Sequence, residues 1–373
     1  MTKQKNGGEK KRFWGIALPA LVCAFFAVLL VYSAECASAL REGLRLCARS
    51  VVPSLFPFMV LSGLLVRFGG TALISRLFSR VCGFFFGIYG EGSVVPVLGA
   101  VCGFPTGAFT AYNLYSSGKI GKNELERVLA FSNNPSPAFL ISAVGISLFS
   151  SARFGTILYV SQLSAAFCVG VIFNVIFHTK KSENSNPLPK FEQSVRASAV
   201  FTETVGSSAS AMINVCAFVL VFSALSGVLS GIFEKIGAGQ TAKTVISGIF
   251  EMTCASAEAA KIIPREKGMV LAALVCGFSG FSVHFQIMSL CPSDDISFRP
   301  YFLAKIFQGT LSALFVLAYI KIVGIPIAET TVSAFEPIGD GTPPVFPLIC
   351  NTVFVLGVFI FVLKKAKKRG KIN

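Results

Sequence analysis

Apolar segments of membrane length that are interrupted partway constrain this chain more than any other feature. From Gly99 to Ile141 it reads GAVCGFPTGAFTAYNLYSSGKIGKNELERVLAFSNNPSPAFLI. Gly99, Gly103 and Gly107 fall at i, i+4 and i+8, with Pro105 among them. A polar, basic hook follows with Lys119, Lys122 and Arg127, and the next apolar segment carries SNNPSP at 132–137. Hydrocarbon does not tolerate unpaired backbone, so such breaks survive only where protein or a water-filled cavity covers them. Two broken segments back to back are what a membrane carrier uses to build a substrate site near the bilayer midplane.

Composition agrees. Of 373 residues, 53% are hydrophobic and 14% charged, against about a quarter charged in an ordinary soluble domain. Several apolar runs reach about 20 residues, enough to cross a bilayer. The fold class expected is all-α, a polytopic helical membrane protein in the lipid bilayer. The formal charge of +15 sits at span ends and tails, where the membrane topology rule explains it and a nucleic-acid partner does not. Eleven cysteines without a CxxC pair, beside two histidines, argue against zinc, a redox motif or a disulfide framework. The sequence asks for no cofactor and no metal. SSGKIG lacks the spacing of a phosphate-binding loop, and no nucleophile–base arrangement is readable, so no enzyme is expected.

Eight full spans are expected, at 13–32, 51–66, 128–149, 154–177, 211–233, 268–290, 301–320 and 344–363. Residues 36–50 read as an interfacial helix with Arg41, Arg45 and Arg49 at helical spacing. Residues 72–90 read as a surface helix, and 94–118 and 244–263 as hairpin or re-entrant segments. The order of features repeats. The stretch 53–70 corresponds to 212–232, 99–111 to 248–260, the Asn/Pro break at 132–137 to the Gly/Ser break at 276–281, and the span from about 153 to the one from about 299. The division expected is an anchor span and interfacial helix (1–50), a first repeat (51–177), a polar linker (178–210), a second repeat (211–325), and an external loop, last span and basic tail (326–373). Both basic tails and the loop 178–196 belong on the cytoplasmic side, and the acidic loop 324–343 outside. Three full spans and one hairpin per half turn the second half upside down, giving inverted repeats.

The candidate substrate-binding residues lie at the breaks. Gly99, Gly103 and Gly107 form a small-xxx-small stripe that by itself suits close helix packing. Pro105 and Thr106 add freed N–H groups and a hydroxyl, which favour an anion at a half-helix start. Asn133, Asn134 and Ser136, between Pro135 and Pro137, exceed what a kink needs, so the asparagines are expected to face a substrate. In the other half Gly277, Ser279 and Gly280 would bring backbone close to the same ligand. Glu251 and His284 are the candidates for proton coupling, since an intramembrane ionisable group usually faces a cavity or a partner. Glu258 lies three before Lys261 and suits a solvated ion pair at a helix end.

PSLFPFMVLSGLL (53–65), CGFPTGAFTAYNLYSSGKI (102–120), LERVLAFSNNPSPAFLISAVG (125–145), GIFEMTCASAEAA and CGFSGFSVHFQI resemble the YlbJ-type sporulation integral membrane proteins, within the broader nucleoside-recognition "Gate" group. The likeness covers roughly residues 40–325. It implies a transporter in an endospore-forming bacterium that moves dipicolinate, a small dicarboxylate anion, into the forespore across the outer forespore membrane. The alternatives are a nucleoside or other small-solute transporter and a non-transporting sporulation scaffold. A homo-oligomer is left open.

Overall fold

The computed structural model describes residues 26–176, 197–293 and 295–324, with five isolated positions before residue 26. Most of the expected first span, the loop 178–196, the external loop and the last span lie outside these residues. All regular structure among the described residues is helical. The helices are α1 Ser33–Leu46, α2 Val52–Arg67, α3 Thr71–Phe86, α4 Val94–Cys102, α5 Thr106–Ser116, α6 Lys122–Ser132, a π-helix Ala138–Leu148, α7 Ala152–Ile176, α8 Ala197–Lys235, α9 Gln240–Phe250, α10 Met252–Ala260, α11 Arg265–Phe278, α12 Gly280–Leu290 and α13 Arg299–Val323.

Among the described residues, four helical stretches are long and apolar enough to cross a membrane: α7, α8, α11 with α12, and α13. A fifth is reached if α2 and α3, bent by 92° at their junction, count as one passage. The eight spans expected are therefore matched by at most five among the described residues. The segment 128–149 is divided at its break into α6 and the π-helix, each too short to cross alone. The stretch 51–66 reaches spanning length only together with α3.

Local sequence accounts for the corners. Gly87 closes α3 in the left-handed conformation, the usual way to end a helix without a Cβ clash. α3 exposes Leu73, Leu77, Val81 and Phe84 beside exposed Arg76 and Arg80, the pattern of a helix lying at an interface. The basic hook is tied down. Lys119 pairs with Glu91 at 2.8 Å, both side chains nearly buried, and also donates to the Val66 carbonyl. Arg127 donates to Asn174 at 3.2 Å and to the Phe86 carbonyl.

The same order of elements occurs twice: a broken hairpin (α4–α5; α9–α10), a broken long helix (α6–π-helix; α11–α12), then an unbroken span (α7; α13). α7 and α13 pack on each other, and α13 also packs on α6 and α11. Outward, α13 exposes Leu303, Ile306, Phe307 and Leu314, a lipid-facing stripe of the kind a spanning helix presents.

Candidate functional site

Ending a helix inside a protein leaves its last carbonyls without partners, and each must find one. At the end of α6 the chain supplies them itself. Asn133 Nδ2 donates to the Leu129 carbonyl at 2.9 Å and Asn134 Nδ2 to the Phe131 carbonyl at 3.0 Å. The Asn134 carbonyl accepts from the Phe104 N–H at 2.7 Å, which fastens this break to the one between α4 and α5. The Asn133 carbonyl accepts from Lys305 Nζ of α13. Gln308 Nε2 donates to Asn134 Oδ1 at 2.7 Å, and Lys305 to Gln308 Oε1 at 2.9 Å.

The glycine stripe lets these backbones meet. A Cβ on Gly99 would lie 1.8 Å from the Ser132 carbonyl oxygen, and one on Gly107 2.5 Å from it. Gly103 has φ +78°, and a Cβ there would lie 2.6 Å from Ser136, a conformation and an approach that only glycine allows without strain. Pro105 precedes α5, and Thr106 opens it fully buried. Thr106 Oγ1 has no hydrogen-bond partner among the described residues, nor does Asn133 Oδ1.

The second break is shorter. α11 stops at Phe278, Ser279 takes a left-handed conformation at φ 74°, and α12 begins at Gly280. Ser279 Oγ donates to the Cys276 carbonyl at 3.2 Å. Gly280 lies against Phe250 and Glu251, where α9 gives way to α10, and Gly277 packs on Gly309 of α13. Glu251, 4% exposed, caps α10 by accepting from the Cys254 N–H at 2.6 Å.

The breaks meet at one cavity of about 490 Å³. From the first half come Phe104, Ser136 and Phe139; from the second, Glu251, Thr253, Ser282 and Gln286. The first turns of the π-helix, α10 and α12 all contribute to its wall, so three helix N-termini, the positive ends of their dipoles, bear on the same space. Glu251 offsets the α10 end; Ser136 Oγ accepts from the Phe139 N–H at the π-helix end.

Of the residues proposed from sequence, Ser136 and Glu251 line this cavity. Gly103, Pro105, Thr106, Gly107, Asn133, Asn134, Gly277, Ser279 and Gly280 are not among its lining residues and lie at or beside the breaks. His284 is buried in an aromatic box, its Nδ1 2.9 Å from the Tyr301 hydroxyl and its ring against Phe278 and Phe302. Glu258 pairs with Lys261 at 2.7 Å. Sequence reasoning passed over Lys305, Gln308 and Gln162. All three are fully buried. Gln162 on α7 donates to the Ala273 carbonyl of α11 at 2.8 Å, so each unbroken span sends a glutamine across to the other half's broken helix. A signal existed: Lys305 and Gln308 share one helix face inside an apolar run, and a charge there is costly enough to need a role.

No family model matches the chain, and no solved structure matches it. Among curated proteins it is similar to the sporulation integral membrane protein YlbJ of Bacillus subtilis (strain 168), with 26% identity over 333 residues, covering 80% of this chain and 81% of that one. The motif resemblance and this similarity along four fifths of both chains point the same way: an integral membrane protein similar to the YlbJ-type sporulation proteins.

Proposed function

We propose that this protein is a carrier for a small ring-bearing solute, and that the solute is dipicolinate, moved into the developing forespore across its outer membrane. Two inverted repeats belong to this reading. The observation that carries it is the convergence of three half-helix N-termini on one cavity walled by Phe104 and Phe139. Aromatic walls suit a planar ring, and helix N-termini suit carboxylates. Ser136, Ser282 and Gln286 supply neutral donors, and Glu251 carries a proton with the substrate. The resemblance to a sporulation membrane protein supplies the biological setting.

A second reading, a neutral solute such as a nucleoside, is favoured by one feature. Glu251 is the charged side chain on the cavity wall, and no lysine or arginine lines it among the described residues. Uptake of labelled dipicolinate and labelled uridine into proteoliposomes separates the readings. Dipicolinate uptake above empty liposomes is the expected result. Uridine uptake alone establishes the second reading, and uptake of neither leaves a membrane scaffold. In a spore-forming host, deletion is expected to give spores poor in dipicolinate while the mother cell still makes it. The inverted orientation is tested by single-cysteine labelling. Ser333→Cys should react with an impermeant thiol reagent in intact cells, and reaction only after permeabilisation removes the inverted arrangement.

A further inference from the structure

Lys305 is fully buried and has no carboxylate partner among the described residues. Its ammonium sits instead at the carbonyl end of α6, held by the Asn133 carbonyl and by Gln308 Oε1 at 2.9 Å. Those are two uncharged oxygens, one from unwound backbone and one from an amide. Asn133 Oδ1, buried and without a partner, belongs to the same break. The end of a half-helix carries partial negative charge. Carriers built from broken helices use unwound carbonyls and half-helix C-termini of this kind to hold a sodium ion or a proton. The second half has no counterpart: three residues before Gln162, where the first glutamine's partner would stand, α7 has Tyr159, whose hydroxyl donates to the Ala100 carbonyl at 3.1 Å.

We propose that the Lys305 ammonium is the resident cation of this site, filling the place where a metal-coupled carrier binds a monovalent ion, so that the cycle runs without sodium or potassium. The charge is covalently attached and cannot leave with the substrate. It sits against the α6 end and ties α13 to the break through Gln308. Coupling to a proton at Glu251 on the cavity wall, from the second half, is then the cation chemistry left to the carrier. This assignment rests on the carrier reading for its transport consequence, while its structural consequence stands apart from transport.

The test is the melting temperature of purified protein in sodium, potassium and choline chloride at equal ionic strength. The native protein should melt at the same temperature in all three. Lys305→Ala, which opens the oxygen cage, should melt several degrees lower in choline and regain at least half of that loss in sodium or potassium. Lys305→Met, which fills the space with an apolar chain, should be destabilised and indifferent to the salt. A folded Lys305→Ala that ignores both metal ions overturns the proposal, as does any sodium or potassium stabilisation of the native protein. Should Lys305→Ala fail to accumulate, the native protein decides in proteoliposomes: uptake driven by an imposed sodium or potassium gradient overturns the proposal, and uptake unchanged in choline supports it. If no solute is transported, the carrier reading fails while the melting comparison still reports on Lys305.

Discussion

The two long broken helices solve one problem at different lengths. Between α6 and the π-helix lie five non-helical or capping residues, 133–137, and between α11 and α12 lies Ser279 alone. The longer break frees more backbone, and its partners come from far away: Phe104 of the neighbouring break, and Lys305 and Gln308 of α13. The shorter break is served locally, by the Ser279 N–H on the Val275 carbonyl at 2.8 Å and the Ser279 hydroxyl on the Cys276 carbonyl. The lesson is quantitative. Each additional residue out of helix leaves a carbonyl that must be met: at the longer break the asparagine amides meet Leu129 and Phe131 from within, but the Asn133 and Asn134 carbonyls are met from other elements. The first half therefore depends on the second for its shape, more than the reverse.

That asymmetry can be broken in order of expected effect. The largest loss should come from Gly99→Ala. A methyl group 1.8 Å from the Ser132 carbonyl oxygen cannot be placed without moving the end of α6, and overpacking of this kind costs about 3 kcal/mol, the upper end of the usual range. Gly277→Ala, 2.6 Å from Gly309 Cα, should cost less because two helices can part slightly. Thermal unfolding of the two purified variants compares them, and equal losses would show the breaks to be equally braced.

Asn134→Ala comes next. Read from the sequence, its loss should spare folding and weaken transport. In the structure its amide meets the Phe131 carbonyl and Gln308. Removing it leaves both without that partner, so the expected cost is about 1–3 kcal/mol. Normal stability with poor uptake would return Asn134 to direct contact with the substrate.

The two crossing glutamines give a matched pair. Gln308→Leu strips a bond from both Lys305 and Asn134, whereas Gln162→Leu strips one from the Ala273 carbonyl. A loss of about 1–3 kcal/mol is expected for the first and about 1 kcal/mol for the second. Unfolding in denaturant measures the difference, and the reverse ranking would contradict the dependence of the first half on the second. The smallest effect belongs to Ser279→Gly. Relief of the left-handed strain, about 1 kcal/mol, is partly offset by the lost hydroxyl bond to Cys276. The melting temperature should rise slightly or stay unchanged.

Much of the architecture was legible in the residues alone. Apolar length and low charge dictate spanning helices, and glycine, proline and paired asparagines dictate where they break, because those residues act on their own backbone within a turn or two. The breaks at Gly103–Pro105, at 133–137 and at Ser279 all fall where the sequence places them. So does the ion pair of Glu258 with Lys261, which is local along the chain. The role of each broken residue was not legible. An asparagine amide can meet a ligand or a carbonyl four residues back, and nothing in the pattern ranks the two. Lys305 near the start of a span reads as an interfacial charge until α6 is packed against α13. That the first turns of the π-helix, α10 and α12 share one cavity depends on contacts between residues more than a hundred positions apart. Only the tertiary structure decides such contacts, because the free energy of closing the fold is shared among all of them and is encoded in no short stretch of chain.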